Sequence, residues 1–267
     1  MKSLLMNAEM VRAYAEGRKD LTRRLMKPQP DGASDGAIYY PHRDHPKWLC
    51  YANEAHFRRG VATDFAPFRA GEQIYIRETW RYYDWTEDGY PFIQYKGDDS
   101  VRLIENYPEE WGERLEAIWS ELSKPSNFLI NNAARDVGWR PSIHMPEWAA
   151  RFRPTVISIR PERVQEITEE DAKREGLPII IAYHDSEFKH PLTAGEQFKA
   201  LWQSLYGQWN SIYKRVNGKR ALVGFECYPL SEGDIPPIPA KARKLGLPCT
   251  AHPNPWIWRI ELTKVTQ

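Results

Sequence analysis

Charge of one sign is the first thing this sequence lacks. Its 267 residues carry 37 Lys+Arg against 36 Asp+Glu, a formal net charge of +1. A histone-like or polybasic protein is thereby excluded, and any surface for nucleic acid has to be a local patch. Cysteine is scarce as well. Cys50, Cys227 and Cys249 lie far apart with no C-x-x-C pair, so neither a disulfide framework nor a zinc ribbon is indicated, and reduced thiols are expected. The longest apolar run, around Leu177–Tyr183, is far too short to cross a bilayer, and the opening MKSLLMNAEM holds no apolar stretch of signal-peptide length. The expectation is a soluble cytoplasmic protein with no membrane partner. G-x-S-x-G, P-loop, H-E-x-x-H and Rossmann glycine patterns are also missing, which sets those enzyme classes aside.

What is present points to a folded chain with many turns. Hydrophobic residues make up 42% and charged residues 27%, enough for a sizeable core. The 21 prolines exceed the usual share and predict long irregular connections. Eleven Trp and 14 Tyr supply flat amphipathic rings, which fill cores first and can also stack on bases or sugars.

Several elements can be read locally. Asn7 is a plausible N-cap, Met10, Val11 and Tyr14 form a helical stripe, and Gly17 follows as the stop. If the chain is extended from Leu21, Thr22 and Arg24 point one way while Leu21, Arg23 and Leu25 point the other. A strand is expected over Gly71–Trp80, a helix through Trp111, Leu115, Ile118, Trp119 and Leu122, and strands at Thr155–Ile159 and Trp256–Leu262. Thr168-x-x-Asp171 and Thr193-x-x-Glu196 start two further helices. Residues 28–70 and 81–140 lack a sustained period and read as two long insertions. Short strands, long connections and no clean linker predict one domain over residues 1–267, of α+β class, built on a small β-barrel.

Three constellations could carry chemistry. Arg12, Arg18, Lys19, Arg23, Arg24 and Lys27 face only Glu16 and Asp20 over residues 12–27, a surplus that could seat phosphates or simply form a solvated basic face. Arg135, Arg140, Arg151, Arg153, Arg160 and Arg163 are interleaved with Trp139 and Trp148, a mixture suited to single-stranded nucleic acid or a flipped base, and equally to packing. His42, His45, Cys50 and His56 fall within fifteen residues, yet their spacing matches no zinc signature, so exposed loop histidines are expected and no metal or cofactor. Lys19 with Thr22 is the one pair with catalytic chemistry. A threonine hydroxyl is a poor nucleophile until a base removes its proton, and a desolvated lysine among other cations can be that base. A surface lysine beside a strand threonine explains the same spacing.

The chain resembles the ASCH family of the PUA-like superfamily, in the larger form carried by phages and prophages. The resemblance rests on Gly17-Arg18-Lys19 with Thr22-Arg23-Arg24, on Gly71-Glu72 leading to Ile76-Arg77-Glu78-Thr79-Trp80, and on Trp139-Arg140-Pro141-Ser142-Ile143-His144-Met145-Pro146. It continues through Ile167-Thr168-Glu169-Glu170-Asp171-Ala172 with Glu175-Gly176, and Asn254-Pro255-Trp256-Ile257-Trp258. It implies a PUA-like mixed β-barrel with helices around one mouth and a partner that is a modified nucleoside, RNA or DNA. Small bacterial members are amidohydrolases that remove the acetyl group from N4-acetylcytidine. Their pattern implies Lys19 as proton acceptor, Thr22 as nucleophile and Glu175 as proton donor. Arg18, Arg23, Arg24, Arg77, Glu78, Trp80, Trp139, Arg140, His144 and Trp148 then form the expected binding set. A non-catalytic module binding RNA or modified DNA is the other reading, because fold alone does not assign chemistry.

Overall fold

The structure is a computed structural model that describes residues 1–32, 37–41, 48–122, 138–177, 181–184 and 188–265. The chain forms two compact units, each discontinuous in sequence: Met1–Asp20, Ala70–Ile157 and Leu262–Gln267 make the first, Leu21–Arg69 and Ser158–Glu261 the second. The expected insertion at 81–140 belongs to the first unit and that at 28–70 to the second, apart from residue 70. The class is mixed α+β, with strands in several small sheets of two or three. Among the described residues no sheet closes on itself, and no helix is long and apolar enough to cross a membrane.

In the first unit, the helix Ala8–Ala15 starts where Asn7 Oδ1 accepts from the Met10 amide at 2.8 Å. It stops at Gly17, whose φ of 72° no branched side chain would adopt readily. Arg18 and Lys19 amides then both return to the Ala13 carbonyl, turning the chain away from the helix axis. Val11, Ala13 and Tyr14 are the buried face. The strand Ser3–Leu5 pairs in parallel with Tyr75–Arg77.

The expected single strand over Gly71–Trp80 is interrupted. Tyr75–Arg77 ends at Glu78, and Trp80–Trp85 opens an antiparallel meander with Pro91–Tyr95 and Val101–Leu103. The break falls at Glu78, which is fully buried. Its carboxylate takes a two-pronged bond from Arg151, at 2.8 and 2.9 Å, and Arg151 also reaches Asp98 at 2.8 Å. Burial pushes the Glu78 pKa up, and the Arg151 guanidinium works against that rise. The core beneath the meander joins Trp80, Tyr82, Ile93, Tyr95, Leu115 and Met145, with Leu115 supplied by the expected helix, Gly112–Leu122.

The second unit is organised by a three-stranded sheet in the order Val156–Arg163, Trp256–Leu262, Leu21–Leu25. Thr22 lies opposite Ile260 and Arg24 opposite Trp258. The helix Glu169–Arg174 begins where Thr168 Oγ1 accepts from the Asp171 amide, and Ala194–Leu205 carries a full capping box of Thr193 and Glu196. Phe198 and Trp202 from the latter meet Val164, Ala172 and Ile257 in a common core. The expected insertion at 28–70 holds a small antiparallel sheet, Asp31–Gly32, Ile38–Pro41 and Trp48–Tyr51, and the helix Glu54–Phe65. A long hairpin, Asn210–Val216 with Lys219–Cys227, continues in parallel to Cys249–Ala251.

Arg23 sits at the centre of this unit. Its Nε reaches Glu162 at 2.7 Å, Nη2 reaches Asp171 at 2.7 Å and Nη1 reaches Glu175 at 3.1 Å. Arg259 binds Asp171 from the other side at 2.9 and 3.1 Å. Burial by itself would raise the Asp171 pKa, but hydrogen bonds from Arg259 and Arg23 bring it down to about 2. The linked stability is therefore present above the ordinary aspartate pKa and is lost as pH falls through the folded value. Arg23→Ala leaves three carboxylates without their shared cation, and the expected cost is about 3–5 kcal/mol in urea unfolding at pH 6. The gap between wild type and variant should narrow as the pH is lowered from 5 toward 2. A gap independent of pH would show that the loss is one of packing alone.

Candidate functional site

Two places among the described residues bear on the expected site, a buried ion-pair network and an aromatic cavity. The first is the strand Leu21–Leu25 with the end of the helix Glu169–Arg174. Strand alternation directs Thr22 and Arg23 to opposite faces, and both are buried. Glu175 follows the last residue of the helix, its amide bonded to the Asp171 carbonyl, and its carboxylate is buried against Arg23. Of the other basic residues expected at the site, Arg18, in the first unit, is exposed and paired with Glu16, and Arg24, in the second, is half-buried.

Lys19, in the first unit, is 0% exposed, while Thr22 and Glu175, in the second, are 1% and 5% exposed. A lysine this far from water is rare without a partner, because burying the ammonium is costly. All three expected catalytic groups are thus withdrawn from solvent. Glu175 is already occupied as an acceptor for Arg23. Four guanidiniums (Arg23, Arg160, Arg174, Arg259) meet four carboxylates (Glu162, Asp171, Glu175, Glu261) in this network. Only Arg23 and Glu175 of these eight were singled out for the site. Ion pairs between residues 139 to 152 positions apart leave no local trace in a sequence.

The second place lies wholly in the first unit. A half-open cavity of about 730 Å³ is lined by Trp111, Trp148, Arg102, Arg153, Glu105 and Glu110, with Pro108 and Pro146 among its neighbours. Such a volume suits a ligand of nucleoside size. The rings of Trp111 and Trp148 meet edge to face, with centroids 5.3 Å apart. Trp148 Nε1 is buried and has no acceptor among the described residues. Behind it, Trp80 packs 6.4 Å from Trp148, and the Arg140 guanidinium lies over Trp80 at 5.5 Å and over Tyr82 at 4.8 Å. Trp80 Nε1 and Arg140 Nε are likewise buried without an acceptor among the described residues. Three idle donors in one aromatic cluster are an unusual concentration, since buried polar groups are nearly always paired.

The remaining expected residues are spread through the first unit. Arg77 bonds the Tyr75 hydroxyl and the Ile143 carbonyl, and Glu78 is held by Arg151. Trp139 is half-buried beneath Arg81 and Lys96, at 4.7 and 5.9 Å, and His144 is exposed. The structure therefore brings Trp80, Arg140 and Trp148 together, and Arg23 with Glu175. Trp111 was legible as part of a helical stripe, and Arg153 as part of an Arg-rich stretch, though nothing local marked either as cavity lining. His42, His45 and Arg135 fall outside the described residues. Cys50 and His56 are exposed, and among the described residues no three His, Cys, Asp or Glu are placed to hold a metal.

The chain matches no family model, no curated protein and no solved structure.

If the Trp148 NH does no work in the fold, removing it should be cheap. Trp148→Phe is expected to cost about 1 kcal/mol and Trp148→Ala about 3 kcal/mol, read from chemical denaturation. A Phe variant as damaged as the Ala variant would mean that the indole nitrogen has an internal role.

Proposed function

We propose that this chain is an ASCH protein of PUA-like type that recognises a modified nucleoside, free or within nucleic acid, and removes an acyl group from its exocyclic amine. One observation carries the reading: Lys19, Thr22 and Glu175 are all buried, and burial in general disfavours a charged ammonium, leaving the neutral amine that a proton acceptor requires, while it keeps a hydroxyl from water. Thr22 Oγ attacks the acyl carbonyl carbon while the Lys19 amine takes the hydroxyl proton. The C–N bond then breaks, and Glu175 delivers a proton to the departing amine nitrogen. Water then hydrolyses the threonyl ester: one of its protons goes to the Glu175 carboxylate as the water oxygen attacks the carbonyl carbon, Lys19 returns its proton to Thr22 Oγ, and the carboxylic acid leaves. Arg23 donates to one Glu175 oxygen and so fixes the orientation of that carboxyl group. Arg18 and Arg24 supply positive charge beside the same segment.

A second reading, a binding module without catalysis, is favoured by the place of the aromatic cavity. Its lining includes Trp148 and two arginines and none of the three catalytic candidates. Here Arg23 and Glu175 serve the fold, and the base lies against Trp111 and Trp148.

Incubation with N4-acetylcytidine, followed by chromatography for cytidine, separates the two. The enzyme reading expects turnover that falls at least about 100-fold in Lys19→Ala and in Thr22→Ala. Hydrolysis that survives both substitutions overturns these roles. Absence of turnover, together with saturable quenching of tryptophan fluorescence that is lost in Trp148→Phe, supports the binding module instead.

A further inference from the structure

We propose that the hairpin Asn210–Val216/Lys219–Cys227 is an arm that docks in the major groove of duplex DNA. Lys214, Arg215, Lys219 and Arg220 lie within seven residues, and no acidic residue occurs between Asn210 and Phe225. Every residue from Tyr213 to Arg220 is exposed. Among the described residues none of the four cations makes an ion pair, in a chain whose buried arginines are surrounded by carboxylates.

The register makes the concentration deliberate in physical terms. Arg215 lies directly opposite Arg220, and Val216 opposite Lys219. Alternation then puts Tyr213, Arg215 and Arg220 on one face, with Arg220 over the Tyr213 ring at 4.1 Å, and Lys214 and Lys219 on the other. Like charges facing across a strand pair are destabilising. A fold that keeps them uncompensated has a use for them when an anion arrives.

The arm is stiff and has the right dimensions. Its turn, Asn217-Gly218, has φ of 50° and 77°, the left-handed pair that closes a two-residue hairpin. The third strand pairs only with Phe225–Cys227, so the end from Tyr213 to Leu222 is a two-stranded ribbon. Four residues per strand give it a reach of about 13 Å. A two-stranded ribbon enters the B-DNA major groove, roughly 12 Å wide, whereas the deep groove of A-form RNA is too narrow. Cations on both faces match a slot with phosphates on both walls. A flat anionic membrane would be met by one face only.

The inference is independent of the amidohydrolase reading, since it uses none of the same residues. It is tested by the anisotropy of a fluorescein-labelled 20-base-pair duplex of mixed sequence, titrated with the full chain at several salt concentrations. Four phosphate contacts predict an affinity loss of about 150-fold between 50 and 200 mM salt. Arg215→Gln with Arg220→Gln leaves two contacts and a loss of only about 12-fold over the same range. The double variant should melt no earlier than wild type, because a repulsive pair is gone. It should process N4-acetylcytidine as wild type does, while Thr22→Ala should bind DNA as wild type does. Duplex RNA of the same sequence is expected to bind at least tenfold more weakly. A salt dependence unchanged by the double substitution overturns the proposal. So does equal affinity for duplex RNA, or hairpin-dependent binding to phosphatidylserine vesicles without binding to DNA.

Discussion

A single buried guanidinium organises the second unit. Arg23 gives each of its nitrogens to a different carboxylate: Nε to Glu162, Nη1 to Glu175, Nη2 to Asp171. The three acceptors come from the far strand of the three-stranded sheet, the end of a helix and the interior of that helix. A planar fork with fixed donor directions can specify three such positions at once, which a lysine ammonium on a flexible stem cannot. Burial of the charges costs about as much as their attraction returns, so the network is better understood as fixing arrangement than as adding net stability. Helix Glu169–Arg174 has only six residues, too few to hold itself in water, and Asp171 and Glu175 tie it to the sheet.

The first unit repeats the device with another arginine. Arg151 spans Glu78 and Asp98, and its guanidinium lies over the rings of Tyr95 and Phe152 at 4.5 and 4.7 Å. Glu78 is where the parallel pair ends and the meander begins, so the ion pair sits at the joint between two sheets. The Arg-Glu-Thr-Trp segment that looked like part of a ligand surface is thereby used internally: Arg77 ties Tyr75 to Ile143, Glu78 anchors Arg151 and Trp80 fills the core. Residues of one short motif can serve a fold so fully that their identity says little about a ligand.

Legibility in the sequence followed the range of the interaction. Caps at Asn7, Thr168 and Thr193 bond three residues away, and all three helices start where those residues stand. The extended segment from Leu21 was readable from alternation and the strand at 155–159 from β-branched content. The hairpin at 210–227 and its cations are not among the expected elements, although Asn217-Gly218 is an equally local turn signal. The meander within 81–140 was not, because its strands are three to six residues long and mix aromatic with polar positions irregularly. The partners of Arg23 and Arg151 were hidden for a different reason. With 37 cations and 36 carboxylates in the chain, no local rule selects which carboxylate a given arginine meets.

How charge is distributed separates what holds this protein together from what it offers to others. Inside the two units, Arg23, Arg259 and Arg151 are met by carboxylates at hydrogen-bond distance, and the fields they create are spent within a few ångströms. On the hairpin the same residue types stand in solvent with no compensating acid along the ribbon. Because the chain as a whole is nearly neutral, that arm is a local positive pole and not a sample of a basic surface. A local pole attracts an anion at short range and orients it without drawing polyanions to every face. The proposed arm for a nucleic-acid backbone and the proposed seat for a flat ring at the tryptophan-walled cavity would serve different parts of recognition, one reading charge and the other one base-sized group, so either could be lost while the other persists.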